Sequence, residues 1–455
     1  MDFVARGRAC WPVPMLMILL GCAASGRGTY EALVDGEEVA ASGDPRPAPD
    51  ERVLSGPVLE RGAYVRAVLG RNRSLESARQ GWRAAIARVR QSGAFDDPLV
   101  TLEVAPLSIG SASARFGYTG MVSQRLPWPG KLSLEETVSK AEADAQRCDY
   151  EAARRELALT ASLLYDDYFV AVRSIEINAH HVELMRSMQA AAIAQFEAGR
   201  ASAQDPLQAE FELTHMEHDT VILASQRDIT VAQMNELLHR DPELPLPPPP
   251  NELSMPRVAG LAAPGPMESE AVEHRPDVAG ARQHAHAEEA RAERAARESY
   301  PDITISTSYN SMWDMPEHRW MVGLSFNLPV QTGRRQGAVD EATAMRAKYE
   351  ADAARMSDMA RTQVVVTLRR LEEAGHVLHI FEERLLPIAR QQVDAARAAF
   401  VSSGLPFVSV IDAEKNLRGV ELDQQVAQAD YDRRRSELDR AVGRMPGIDG
   451  KEDAR

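Results

Sequence analysis

Two periodicities alternate along the chain. Val100, Leu102 and Val104 oppose Thr101 and Glu103, after which Phe116, Tyr118 and Val122 oppose Arg115, Thr119, Ser123 and Arg125. A period of two predicts paired strands at about 99–106 and 115–126, each with one apolar face. The pattern returns with Ile303, Ile305 and Tyr309 against Thr304, Ser306, Ser308 and Asn310. Trp320, Val322, Leu324, Phe326 and Leu328 then oppose Met321, Gly323, Ser325 and Asn327, predicting strands at about 301–310 and 319–328. Elsewhere the period is helical. Lys131 to Glu197 and Arg334 to Val401 read as unbroken helices of nearly seventy residues each, about 100 Å long at about 1.5 Å per residue. Asp205 to Arg240 and Met267 to Glu298 read as shorter helices that together equal one long one. Val364, Leu371, Leu378 and Leu385, with Ala374, Phe381 and Ile388, keep heptad spacing, so these helices pack side by side as coiled coils. Pro387 falls inside the second long helix, where it should bend it.

The chain is a tandem repeat with an offset near 203. Ala78, Arg79, Gln80, Ala84, Ala87, Arg88, Pro98 and Thr101 recur as Ala281, Arg282, Gln283, Ala287, Ala290, Arg291, Pro301 and Thr304. Each unit reads helix, strand, strand, long helix, helix, and one architecture is therefore expected twice, over 58–240 and 267–445. The proline-rich stretch within 241–266 links them and cannot be helix. Residues 446–455 form a tail.

At 9–11 residues with one apolar face, the strands have the length that crosses a bilayer as tilted β-structure. Four strands cannot close, because about eight is the smallest barrel; a trimer would bring about twelve. The expected class is therefore mainly α with a small transmembrane β part, a trimeric barrel that continues into an α-helical one. The bland reading is two half-buried hairpins in a soluble protein, but a lone hairpin is marginal in water.

Charge and cysteines narrow the picture. The net charge is −15, with five lysines among 52 basic residues and no basic domain, which argues against nucleic acid. Arg6 and Arg8, the apolar run Met15–Leu20 and "LLGC" ending at Cys22 resemble a bacterial lipoprotein signal. Residues 1–21 are then a signal peptide, Cys22 the acylated residue and 22–57 a flexible anchored segment. Cys148 is read as a packing residue.

At the edges of the strands stand two related junctions, "LPWPGK" with Pro127, Trp128, Pro129 and Gly130, and its weaker copy with Pro329 and Gly333. Prolines end a β-ladder where a donor would go unpaired, glycine permits the turn, and tryptophan suits a lipid–water interface.

Together with "FEAGRASAQDPLQAE" (Phe196–Glu210), "HRPDV" (His274–Val278), "ERLLPIARQQVDAARAAFVSSG" (Glu383–Gly404) and "SVIDAEKNL" (Ser409–Leu417), these junctions give the chain a resemblance to the outer-membrane efflux proteins of the TolC family. It covers roughly Ser55 to Met445. The resemblance implies a homotrimeric exit duct in the outer membrane of a Gram-negative bacterium, with a 12-stranded barrel and a tunnel across the periplasm. It also implies a periplasmic adaptor and an inner-membrane pump, expected to be of the RND type, that supplies the energy. The family's tip motif falls on Gly199, Arg200, Ser202, Asp205 and Leu207. In the second copy Gly404, Leu405 and Phe407 replace a polar turn, and this apolar turn either docks the adaptor or packs internally, docking being the expectation. Asp205 is read as an N-cap. With Asp412 it is also a candidate cation-selective gate in triplicate. The "LPWPGK" junction is more similar to the heavy-metal branch than to the drug branch. A type I protein-secretion duct is the next possibility, and a coiled-coil envelope lipoprotein that never enters the membrane is the alternative from another class.

No catalytic constellation or phosphate loop is present in the sequence, and no cofactor is expected. His215/His218 and His376/His379 have metal-compatible i,i+3 spacing, while His180 and His181 diverge; all are read as solvated faces, and the seventeen methionines as packing residues rather than a metal relay.

Overall fold

The computed structural model describes residues 31–36, 54, 56–110, 112–253, 263–403 and 406–448. Its elements run α1 (Arg61–Arg71), α2 (Arg73–Ser92), β1 (Leu99–Val104), β2 (Tyr118–Leu126), α3 (Lys131–Glu197), α4 (Gln204–Leu237), α5 (Pro264–His274), α6 (Pro276–Arg297), β3 (Ile303–Asn310), β4 (Trp320–Phe326), α7 (Thr332–Ile380), α8 (Leu386–Ser403) and α9 (Phe407–Val442). The fold is mostly helical with one small antiparallel sheet. Two compact units divide it, one holding 79–148 and 280–354, the other 42–78, 149–279 and 355–455. Both α3 and α7 contribute to each.

The first unit carries the sheet, in the order β1-β2-β3-β4 with every neighbour antiparallel. The register places Val100, Val122, Thr307 and Val322 in one row across the four strands, and Gln124, Ile305 and Leu324 in another. Because side chains alternate across the pleat, one face is mostly apolar, interrupted by Gln124 and Thr307, and the other carries Thr101, Glu103, Ser123, Arg125, Ser306 and Ser325. The apolar face is exposed: Val100, Leu102, Val322, Leu324 and Phe326 all face outward with nothing over them in the protomer. The helical part of this unit buries Trp82, Ile86 and Val89 of α2 with small residues, Ala141 and Ala145 of α3 and Ala287 and Ala290 of α6. Cys148 is buried with them, its Cβ 3.3 Å from where a Cβ on Gly280 would lie.

In the second unit the 241–250 stretch opens with a turn at 242–243, closed by the Leu244 amide on the Asp241 carbonyl at 3.2 Å, and then runs without regular structure; its carbonyls find donors that prolines cannot supply themselves. Tyr168 donates to Leu246 and Pro247 at 3.2 and 3.0 Å, Asn235 to Pro242 and Leu244 at 3.1 and 2.7 Å, and the Leu59 amide to Pro248 at 2.9 Å. The repeat is visible in backbone detail. The helix expected over Met267–Glu298 is broken at Arg275, because the residue before Pro276 is pushed out of the helical region. The first copy breaks at the equivalent Asn72, and the two residues make equivalent bonds, Asn72 N–H to Val68 and Arg275 N–H to Ala271.

The heptad seam on α7 holds only as far as Phe381. Val364, Leu371, Ala374 and Leu378 are buried together as expected, but Leu385 and Ile388 are exposed, and Leu386, Ala389 and Val393 are buried in their place. Phe381–Leu385 is a π-turn in which the Leu386 amide reaches back five residues to the Phe381 carbonyl. It lies just before Pro387, whose ring would meet the Glu383 carbonyl in a regular helix. One extra residue per turn moves the seam on by one position.

Candidate functional site

At the first junction Pro127 and Pro129 have no amide to donate, and the one amide between them, Trp128, donates to Asp302 Oδ1 at 3.0 Å. Asp302 immediately precedes β3 and is the hub of the junction. It also accepts from Lys131 Nζ at 2.9 Å and Arg125 Nη2 at 2.6 Å, while its own amide donates to Asn327 Oδ1 at 2.7 Å. Burial works against its charge, but the bonds from Lys131, Arg125 and the Trp128 amide outweigh this and hold the carboxyl at about 2. Lys131 further reaches the Tyr300 carbonyl at 3.1 Å and Glu298 at 3.5 Å. The Trp128 ring stacks on Tyr300, 5.1 Å between centroids and 12° from parallel.

Gly130 adopts φ +88°, and a Cβ there would collide with the Arg297 guanidinium, whose Nη1 donates to the Pro129 carbonyl. Gly333 does not share this role. It lies in the first turn of α7 in open space with no left-handed φ, so the second junction turns at Leu328–Gln331, around Pro329, without a glycine.

A second set of rings lies at the opposite, hairpin end of the sheet. Phe116 and Tyr118, Tyr118 and Tyr309, and Tyr309 and Trp320 are neighbours at 5.8, 5.8 and 5.4 Å. Aromatic rings thus lie at both ends of the sheet.

The helical tip belongs to the second unit. Helix α3 ends at Gly199 (φ +69°) with the Arg200 amide bonded to Gln195 and the Gly199 amide to Phe196, both at 2.9 Å, the pattern of a left-handed helix stop. Arg200, Ser202 and Leu207 are exposed. Asp205 is not the N-cap: it sits inside the first turn of α4, and Ser202 Oγ accepts the Gln204 amide at 3.2 Å instead. Phe407, expected as a docking residue, points inward. It is 5% exposed and packs 5.6 Å from the Phe400 ring among Ala209, Met216 and Ile411. Asp412 is exposed on α9. Gly404, Leu405, Cys22 and the signal segment lie outside the described residues.

Several contacts between helices carry no local sequence signal. Helix α9 is fastened to α4 by Lys415–Glu212 at 2.9 Å and Arg418–Asp219 at 2.5 Å, and to α8 by Arg397–Glu414 at 2.6 Å. His181 is buried, not solvated, with Nε2 2.9 Å from Glu421, and this bond leads the effects that hold Glu421 below the usual carboxylate range. At the start of the unit Arg61 is buried between Asp166 and Asp432. Burial pushes Asp166 up to about 8, against the pull of Arg61. Lys131 carried a signal, being one of five lysines and placed next to the junction glycine; Asp302 carried none beyond following Pro301. Among the described residues no helix is long and apolar enough to cross a membrane.

Comparison with known proteins agrees with this geometry. Residues 268–444 match the family described as outer membrane efflux protein. No curated protein matches the chain. Among solved structures it is similar to the CusC channel, at TM-score 0.72 and 17% identity over 86% of this chain and 94% of that one. OprN, an outer-membrane channel, gives 0.72 and 18% over 87% and 92%. The CmeC outer-membrane channel of Campylobacter jejuni gives 0.69 and 15% over 87% and 89%. Residues 268–444 are thus similar to the outer membrane efflux protein family, and the chain as a whole shares the fold of these solved outer-membrane channels.

Proposed function

We propose that the protein is the outer-membrane exit duct of a tripartite efflux system, anchored through an acylated Cys22. The observation that carries this reading is the sheet: an exposed, mostly apolar face on a sheet with aromatic rings at both ends, the pattern of a lipid-facing barrel wall with its two interfacial girdles. Its edges, β1 and β4, would be intolerable in lipid unless paired with those of other copies. Three copies joined β4 to β1 make a closed barrel of about twelve strands. The tip at Gly199–Leu207 then meets a periplasmic adaptor, with Arg200, Ser202 and Leu207 as the contact residues. An inner-membrane pump of the RND type supplies substrate and energy. The "LPWPGK" junction supports heavy-metal cations over drugs as the substrate class. Asp205 and Asp412, in triplicate, give the closed end a preference for cations.

Cysteine pairs placed on β1 (Thr101, Glu103) and β4 (Met321, Ser325) test the assembly. The expected result is an oxidative ladder that stops at three chains on a denaturing gel. No cross-linking between copies for any pair, or a ladder that runs past three, overturns it.

A further inference from the structure

The turn between β3 and β4 holds soft metal donors that stand largely in solvent. Within seven residues it presents Met312, Trp313, Met315 and His318. Buried methionines elsewhere, Met185, Met216 and Met234, fill the helical core, the ordinary use of that side chain. Met312 and Met315 instead stand 56% and 61% exposed, interleaved with exposed Asp314 and Glu317. Two thioethers left in water forgo burial that either would gain in a core.

The turn is tied down. The Asn310 amide donates to Arg319 at 2.8 Å and the Met312 amide to Asn310 Oδ1 at 3.0 Å. Arg319 Nε donates to the Trp313 carbonyl at 2.9 Å, and Ser311 exchanges bonds with the Tyr118 backbone at 3.0 and 2.8 Å. On this base Pro316–His318 makes one 3-10 turn, closed by the His318 amide on the Met315 carbonyl at 3.1 Å. Met315 caps the turn from an extended backbone (φ −84°, ψ 121°), so this one bond holds the Met315 and His318 backbones together at the two ends of a single turn. The Trp313 ring stands edge-on to the imidazole at 6.0 Å. The Met312 sulfur rests against Gly117, 2.9 Å from where a Cβ would be, so the lack of a side chain at Gly117 is what admits it.

We propose that Met315 and His318, with Met312 as a third donor, form a binding site for a soft monovalent cation, Cu(I) or Ag(I). Thioether and imidazole donors select that class, while Zn(II) or Mn(II) would call on the carboxylates. The Trp313 indole adds cation–π attraction at the open side. The Met-His arrangement lies outside the usual His, Cys, Asp and Glu clusters, of which the described residues hold no group of three or more. Only the placement of this site at the outer mouth of the duct rests on the reading above; the binding itself does not.

The test is calorimetric titration of the full-length, detergent-solubilised protein with Ag(I) in chloride-free buffer, its thiols alkylated beforehand. One tight Ag(I) per chain is expected. Met315→Leu and His318→Gln should each weaken it at least tenfold, and Met312→Leu should weaken it less. Leucine keeps the volume of methionine, and trimer content on a native gel checks that the variants are intact. Unchanged Ag(I) binding in the Met315→Leu/His318→Gln double variant overturns the proposal. So does Zn(II) binding tighter than Ag(I) and lost in Glu317→Gln. A protein that binds Ag(I) in this way yet opens no pore would sink the duct and leave the site standing.

Discussion

Lys131 Nζ and the Asp302 carboxylate lie 2.9 Å apart, both residues 5% exposed, though 171 positions separate them. The pair joins the first residue of α3 to the residue before β3, so the two repeats are pinned together where strands give way to helices. Removing one partner of a buried pair strands the other, at a cost of roughly 3–5 kcal/mol. Asp302→Asn leaves Lys131 and Arg125 facing a neutral amide and should lower the melting temperature measurably in a thermal scan. Lys131→Met should cost less, since Arg125 still neutralises Asp302. The depressed carboxyl contributes stability that is present above the ordinary aspartate value of about 3.9 and is lost as pH falls through about 2. Wild type should therefore lose stability over that acid window, and Asp302→Asn should not.

The two junction glycines should behave oppositely. Gly130→Ala introduces a Cβ at φ +88° and against Arg297, costing about 1–2 kcal/mol for the left-handed backbone alone. Gly333→Ala, in a helical turn with open space around it, should be neutral or stabilising by up to about 1 kcal/mol. Thermal unfolding of the two variants side by side decides between them, and equal destabilisation would refute the distinction.

Asp166 makes the opposite pH statement from Asp302. Burial raises its carboxyl from 3.8 to about 8 despite Arg61 beside it. A raised folded value means stability fully present below the unfolded value and lost as pH rises through about 8. Melting temperature should fall between pH 4 and pH 8 in wild type. Asp166→Asn, which mimics the protonated acid, should flatten that slope and be the more stable protein at pH 9, whereas Arg61→Met, which leaves Asp432 buried without its partner, should be destabilised throughout.

What the sequence made legible follows from what periodicity encodes. Alternation of apolar residues located all four strands and the polar face, and helical periodicity placed Lys131–Glu197 as it stands in the structure. The tight turn at Gly130 was readable because glycine between a proline and a helix has few other uses. Partnerships across the repeats were not readable: no local pattern links Lys131 to Asp302 or His181 to Glu421, since both depend on which helices become neighbours. Phe407 was misplaced because an apolar residue at a turn looks exposed until its neighbours Phe400 and Ile411 are known. The shifted seam after Pro387 was hidden because heptad counting assumes a constant number of residues per turn.

That shift predicts an unusual tolerance. Deleting Glu383 together with Pro387→Ala removes both the extra residue and the ring that demands it, so α7 can run into α8 as regular helix with Leu386, Ala389 and Val393 still in the seam. The variant should keep wild-type helicity by circular dichroism and melt within a few degrees of wild type. Deleting Thr367 instead, within the regular heptads, should misalign Leu368, Leu371 and Leu378 and unfold the bundle.

The exit-duct reading is tested most directly by planar-bilayer recording of the purified protein. Discrete, uniform conductance steps with cation preference, from material that only detergent extracts, are the expected result. Absence of unitary steps, with release from membranes by salt alone, would contradict it.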